Sequence, residues 1–311
     1  MSRGQRIILT GATGSIGKKL FAALRERGYE VVIFSRRPEA ARTMLPGAAD
    51  YVAWSPAEQG PWAAAIDGAH AVIHMAGAPI SQGLLGPRWT AAYKAEIRAS
   101  REIGTRGIVN AITEASQRPV VLINASAIGY YGYRDDTPLD ERSPAGSDFV
   151  AEVCVAWERE ALRAEALGVR LVRLRTGILL DPDAGALNQL LLPFRMRSGG
   201  PIMPGNQYYS WIHPDDELGL TLMALEDERV HGAFNATAPT PVTNREFTTT
   251  LGVVLNSPSW LAVPEFSLRL ALGEMADLVT KGQRVLPHRA LELGYQFRFT
   301  ELRPALEDLL R

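Results

Sequence analysis

The hydrophobic pattern changes period at one sharp place near the start of the chain. Ile7-Ile8-Leu9 is a short apolar run suited to a buried strand, glycines follow at 11, 14 and 17, and apolar residues then recur at helical spacing up to Gly28. Glu30-Val31-Val32-Ile33-Phe34 is a second strand, so the opening reads as strand, tight turn, helix and strand. The alternation continues. A strand is predicted over 67–77, a long helix over 89–115, a buried strand over 119–126, a helix over 150–167 ended by Gly168, a sixth strand over 169–175 and a helix over 185–197. Trp211-Ile212-His213-Pro214-Asp215-Asp216 opens a further helix, and the chain beyond Pro241 is mainly helical, with Pro258, Pro264, Pro287 and Pro304 at expected boundaries. Strands and helices in turn imply an α/β protein with a doubly wound parallel sheet. The main domain is expected to span 1–180 and 211–240, with 181–210 and 241–311 forming a smaller, mainly helical lobe on the substrate side.

The first turn carries chemistry. In Gly11-Ala12-Thr13-Gly14-Ser15-Ile16-Gly17, Gly11 permits the turn, Gly14 clears space for a pyrophosphate against the backbone, and Gly17 lets helix pack on strand. The unpaired N–H groups of the helix start then face an anion. After the second strand, where a carboxylate would accept from the adenosine ribose of NAD, stand Ser35, Arg36 and Arg37. A hydroxyl and two guanidinium forks match a 2′-phosphate, so NADP is preferred over NAD. The other reading makes both arginines solvated loop charges. Met75-Ala76-Gly77 ends the 67–77 strand and is expected beside the same cofactor, whereas His74, within that strand, is read as a satisfied core residue.

Charge and composition narrow the partners. Thirty-three basic against 34 acidic residues leave a net charge of −1, which argues against a nucleic-acid surface and gives no sign of a membrane one. The single cysteine, Cys154, excludes an internal disulfide framework and fits a reducing compartment. No apolar run reaches the roughly 18 residues of a membrane span, and no signal-peptide core precedes the glycines, so a cytoplasmic protein is expected. No histidine or cysteine cluster has metal-ligand spacing.

Further motifs point to a family. The glycine turn, the strand ending Met-Ala-Gly, Gly104-Thr105, and Ser126 ahead of Tyr131-Gly132 together resemble the extended short-chain dehydrogenases/reductases. Arg88-Trp89, Trp157-Glu158, Leu192-Pro193-Phe194, Trp211-Ile212-His213, Pro241-Val242-Thr243-Asn244 and Gly282-Gln283-Arg284-Val285-Leu286-Pro287 are similar to the branch like nucleoside-diphosphate-sugar epimerases whose activity is unassigned. The resemblance covers nearly the whole chain. It implies a Rossmann domain binding NAD(P), with Gly11 to Gly17 at the pyrophosphate, Ser35 and Arg36 at the 2′-phosphate, and Met75 and Ala76 beside the adenosine and its phosphates. Arg101, at a position usually held by Asn, is implied to look toward the nicotinamide half with Glu96 nearby, and Ile178 to flank the nicotinamide.

The chain also departs from that pattern. Family chemistry needs a tyrosine base supported by a lysine four residues later, and counting places those positions on Val150 and Cys154. No Tyr-x-x-x-Lys occurs anywhere. Cys154 is expected to be a buried helix cysteine, with no cationic neighbour evident. Ser126, Tyr130 and Tyr131 remain as candidate catalytic groups, read either as hydrogen-bonding a substrate oxygen or as a turn serine and a packed aromatic rim. Trp211, His213 and Gln283 are candidate substrate-side residues, His213 being read also as a helix-capping group among aromatics. Lys281 and Arg284 either hold a substrate anion or are solvated. The leading expectation is an NADP(H)-dependent enzyme working by hydride transfer on an unknown small polar carbonyl or hydroxyl compound. Its rival is a non-catalytic NADPH-binding sensor. Oligomeric state is not legible.

Overall fold

The computed structural model describes residues 4–56, 60–81, 86 and 88–311. Its centre is a seven-stranded sheet, parallel in every pairing. The strands are β1 (Arg6–Thr10), β2 (Glu30–Ser35), β3 (Asp50–Ala53), β4 (Ala71–His74), β5 (Val121–Ala127), β7 (Arg170–Thr176) and β11 (Gly232–Ala236). Three short pairings lie outside it: β6 (Pro138–Leu139) with β13 (Arg284–Val285), β8 (Ile178–Leu179) with β10 (Trp211–Ile212), and β9 (Tyr208–Tyr209) with β12 (Val242–Thr243). The strand order of the seven-stranded sheet, β11-β7-β5-β4-β1-β2-β3, reverses direction between β1 and β4, which opens a crevice at the carboxyl ends of those two strands.

Helices cover both faces because the strands are apolar on both sides. On one face α1 (Ser15–Glu26) and α6 (Pro214–Glu226) bury Leu20, Leu24, Leu220 and Leu225 against Ile7, Leu9 and Ile123, with α2 (Pro38–Met44) adding Ala41. On the other, α3 (Ala91–Glu114) and α4 (Phe149–Leu162) bury Ile108, Ile112 and Ala161 against Ile8, Val72 and Leu122. A separate cluster joins α5 (Gly185–Arg195), α7 (Asn244–Val254) and the C-terminal segments through Leu187, Phe194, Trp211, Phe247, Leu251 and Leu306. Between α7 and the C-terminus run α8 (Glu265–Leu272), α9 (Asp277–Thr280), α10 (His288–Glu292) and α11 (Leu302–Leu310).

Local signals explain the boundaries. The long helix begins at Ala91 rather than 89 because Thr90 caps it, its hydroxyl accepting from Tyr93 N at 3.2 Å. Helix α4 starts on Asp148, whose carboxylate accepts from Val150 N and Ala151 N, and stops at Leu162, five residues short of the expected end. The remaining residues tighten into a 3₁₀ turn, Glu165–Leu167, closed by left-handed Gly168. Among the described residues no helix is long and apolar enough to cross a membrane, and no group of three or more His, Cys, Asp or Glu could hold a metal ion.

Candidate functional site

The crevice at the switch point is a cleft lined by Gly11, Ala12, Thr13, Gly14, Ser35, Arg36, Met75, Ala76, Gly77, Glu96 and Ser100. Gly14 N closes the turn on Gly11 O at 3.0 Å and Gly14 then stands as the helix N-cap with no side-chain cap, leaving first-turn N–H groups for a ligand. Gly11 has φ +72°, and a Cβ there would lie 3.0 Å from the Met75 carbonyl carbon. That close approach is fastened from below. Thr10 Oγ1 accepts from Met75 N and Ala76 N, each at 3.1 Å, so its own proton goes to His74 Nδ1 at 2.8 Å. His74 is therefore a neutral, fully buried strut, edge-on to Trp54, with burial pulling its pKa down to about 4.

Ser35 and Arg36 reach the cleft rim, where Arg36 is exposed and makes no ion pair with any described residue. Arg37 does not line the cleft. It is the N-cap residue of α2, its N–H donating to Ser35 Oγ at 3.1 Å. Ser15, Ile16 and Gly17 form the start of α1 behind the turn. An NADP fits this donor set: backbone N–H groups at a glycine cradle that side chains would fill, then a hydroxyl and an unpaired guanidinium one strand away.

A second pocket, enclosing about 250 Å³, adjoins the first. Residues 77–79 and Ser100 line the cleft, while the next residues, Ile80 and Arg101, line the pocket. Its remaining wall includes Ala127, Gly129, Val150, Cys154 and Trp157, with Thr176 and Ile178 from the β7–β8 corner and Tyr133, Tyr208, Lys281 and Gln283 opposite. Pairing of β6 with β13 brings Gln283 here, where its Nε2 donates to Ile128 O at 3.1 Å. The counted positions Val150 and Cys154 do face this pocket. Burial pushes the Cys154 thiol up to about 12, against the pull of Arg101. The sequence shows no cation near Cys154, but the fold supplies one, because α3 lays Arg101 beside α4. Asp148 is occupied with capping and with Tyr133 N, and burial pushes the Tyr133 phenol above its usual range.

The other candidate residues lie elsewhere. Ser126 is buried and donates to Glu158 Oε1 at 2.7 Å. Glu158 also accepts from Arg175 Nε and Nη2 at 2.8 and 2.9 Å and from Arg173 at 2.8 Å. Arg175 Nη1 donates to the Tyr131 hydroxyl, which donates to Asn235 Oδ1 at 2.7 Å. Tyr131 is fully enclosed, and burial pushes its phenol up to about 12. Tyr130 packs its ring face on Arg175, Cζ standing 3.4 Å from the ring centroid. Serine and tyrosines thus belong to a polar network behind the pocket and none lines it. Trp211 sits in the cluster around α5 and α7, its Nε1 donating to Thr240 O. His213 is buried, caps α6 by accepting from Asp215 N at 3.1 Å, and stacks on Phe299. Of the substrate-side candidates only Gln283 reaches the pocket.

One buried acid has no warning in the sequence. Glu217, in the first turn of α6, is fully enclosed, accepts from Thr176 Oγ1 at 2.8 Å through Oε1, and has no hydrogen-bond partner for Oε2 among the described residues. Burial pushes its carboxyl up to about 8, the Thr176 bond pulling the other way.

Comparison with known proteins follows the same lines. Residues 7–236 match the NAD dependent epimerase/dehydratase family, and 263–309 match a domain of unknown function, DUF1731. The chain is 41% identical over 307 residues to the chloroplastic epimerase family protein SDR39U1 homolog of Arabidopsis thaliana, covering 98% of this chain and 86% of that one. Among solved structures it is similar to the human epimerase family protein SDR39U1 (isoform 2) with NADPH, at 33% identity and TM-score 0.86, covering 98% of this chain and 99% of that one. It is also similar to a nucleoside-diphosphate sugar epimerase from Corynebacterium glutamicum, at 30% identity and TM-score 0.77, covering 99% of this chain and 59% of that one.

Proposed function

The chain belongs to the NAD dependent epimerase/dehydratase family, as an atypical extended short-chain dehydrogenase/reductase, and on that premise we propose that it binds NADPH in the cleft and exchanges a hydride with a polar carbonyl or hydroxyl compound held in the adjoining pocket. The observation that carries this reading is the junction of the two spaces, at residues 77–80 and at Ser100 with Arg101. Gly11 to Gly14 hold the diphosphate on backbone N–H groups, Ser35 and Arg36 hold the 2′-phosphate, and Met75 to Gly77 line the path between. Ile178 and Arg101 stand at the nicotinamide end. When bound, the cofactor supplies a hydride at nicotinamide C4. The human neighbour's NADPH supports the choice of cofactor.

Fluorescence titration tests the proposal directly. NADPH is expected to bind at least about tenfold more tightly than NADH, the discrimination expected of one charge-assisted phosphate contact. Equal or tighter binding of NADH defeats the assignment.

A second reading is favoured by one feature of the pocket. Val150 and Cys154 occupy the base and lysine positions, and burial pushes Cys154 to about 12, so neither side chain takes up a proton at neutral pH. A protein of this kind serves as an NADPH-binding sensor. It then shows tight cofactor binding, no substrate-dependent NADPH oxidation, and a protein association that changes with cofactor.

A further inference from the structure

Three buried or half-buried arginines of the sheet are bound through their terminal nitrogens to protein oxygens. Arg175 and Arg173 share the Glu158 carboxylate, and Arg170 spreads its Nη1 and Nη2 groups over the carbonyls of Ala224, Leu225 and Val230. Arg101 and Arg284 differ from these, since neither makes an ion pair with a described residue, and of the two it is Arg101 that lines the pocket. Arg101 Nη1 donates to Ala78 O at 3.0 Å and Ile97 O at 3.1 Å, while Nε and Nη2 have no partner among the described residues. No carboxylate of a described residue comes within ion-pairing distance of it. The guanidinium is held in place, packed over the Trp157 indole at 5.0 Å and against Gly77, where an added Cβ would lie 3.4 Å from Cζ. Around it stand apolar groups: Ile80, Ala127, Val153 and Trp157.

A permanent charge set among apolar walls without a counterion is unfavourable for the empty protein, and the same setting strengthens its grip on an anion that arrives. Nε with Nη2 is one edge of the guanidinium fork, and it matches the two oxygens of a carboxylate. Charge count favours carboxylate over phosphate. Lys281, the other cation lining the pocket, is held by Asp277 at 3.0 Å. Asp148, the carboxylate lining the pocket, is taken up by the N–H groups of Tyr133, Val150 and Ala151, which leaves Arg101 as the cation available to a negative charge.

We propose that the pocket takes a compact substrate bearing a carboxylate, gripped by the free edge of Arg101, with its apolar remainder against Ile80, Val153 and Trp157. This rests on the reading of the pocket as the substrate side of an NADPH site. It also sets the chain apart from enzymes acting on nucleoside-diphosphate compounds, whose two phosphate charges find one unpaired cation here.

The test is calorimetric titration of the full chain with 4-methyl-2-oxopentanoate, with its neutral methyl ester, and with inorganic phosphate, each at saturating NADPH for the variant in hand. The acid is expected to bind at least about tenfold more tightly than the ester, a difference of one charge-assisted contact. Arg101→Met is expected to erase that difference and Arg101→Lys to keep part of it, while Arg98→Met, which removes an exposed cation from the same helix, leaves it intact. Thermal melts confirm that each variant is folded, and the acid-to-ester comparison on the unaltered chain needs no variant. Equal binding of acid and ester, no binding of the acid, or an acid preference that survives in folded Arg101→Met overturns the proposal. Phosphate binding more tightly than the acid overturns the carboxylate assignment. If NADPH itself fails to bind, the proposed function falls, and the acid-to-ester comparison on cofactor-free protein still decides the role of Arg101.

Discussion

The cleft and the pocket share one edge of the sheet and are made of different material. The part of the cleft proposed to hold the diphosphate is four consecutive residues, Gly11 to Gly14, which offer backbone N–H groups and, at both glycines, no side chain. The pocket draws on residues from Ile80 to Gln283, and behind its lining lies a network of side chains, Ser126, Tyr131, Glu158 and Arg175, contributed by β5, β7, α4 and the turn after β5. A site made of backbone is set by local conformation and fails when atoms are added. A site made of side chains is set by tertiary packing and fails when a partner is removed.

The largest effect expected from this contrast is at the network. Arg175→Met leaves the Glu158 carboxylate buried with fewer donors, at a cost of about 3–5 kcal/mol in urea unfolding. Pairing it with Glu158→Gln should recover a substantial part. A loss under about 1 kcal/mol for the single variant would mean that the structure behind the pocket does not depend on this pair.

Glu217 sharpens the comparison through pH. Its carboxyl is pushed from 4.5 up to about 8 in the fold, so between those values the folded state keeps a proton that the unfolded chain has released. Stability contributed by this group is complete below pH 4.5 and is lost as pH rises to about 8. Glu217→Gln stays neutral throughout, so the gap between variant and parent should widen in the variant's favour by on the order of 2–4 kcal/mol across that window. A gap that stays constant with pH removes Glu217 as a buried neutral acid.

At the cleft the failure is steric. A Cβ on Gly17 would lie 2.2 Å from Gly11 O and 2.7 Å from Ala12 Cα, both backbone atoms of the turn. Gly17→Ala should therefore cost about 1–3 kcal/mol and weaken NADPH, because relief of the clash moves the N–H groups proposed to hold the phosphates. Unchanged NADPH affinity would separate the turn from cofactor binding. Arg36→Ala is expected to be milder, lowering NADPH affinity about tenfold and leaving NADH affinity as it was.

How much could be read in advance follows the same division. That Gly11, Gly14, Ser35 and Arg36 share one cleft was legible because a βα corner and the end of the next strand have fixed places relative to one another. Counting along α4 also found the pocket-facing positions Val150 and Cys154, since helical spacing is regular. Ser126 and Tyr131 were legible as strand-end residues but not as network members, because their partners, Glu158 and Asn235, come from elements distant in the chain. Trp211 and His213 carry motif and polarity, yet packing against Thr240 and Phe299 uses both for structure. Glu217 and the free edge of Arg101 leave no local trace at all.

The smallest expected effect concerns Cys154, and it bears on why the family lysine is missing. The thiol is buried with its pKa raised to about 12, so iodoacetamide at pH 8 should label it only as the chain unfolds, and Cys154→Ser should shift stability by no more than about 1–2 kcal/mol. Cys154→Lys is the informative counterpart. Arg101 already places a guanidinium beside residue 154, and a second cation there would meet like charge, the nearby Glu158 carboxylate being taken up by Arg173 and Arg175. The lysine variant should therefore melt below the serine variant and regain stability when Arg101→Met is added. If the single lysine variant is as stable as parent, the two positions do not compete for one cation, and the guanidinium from α3 is not the reason α4 carries none.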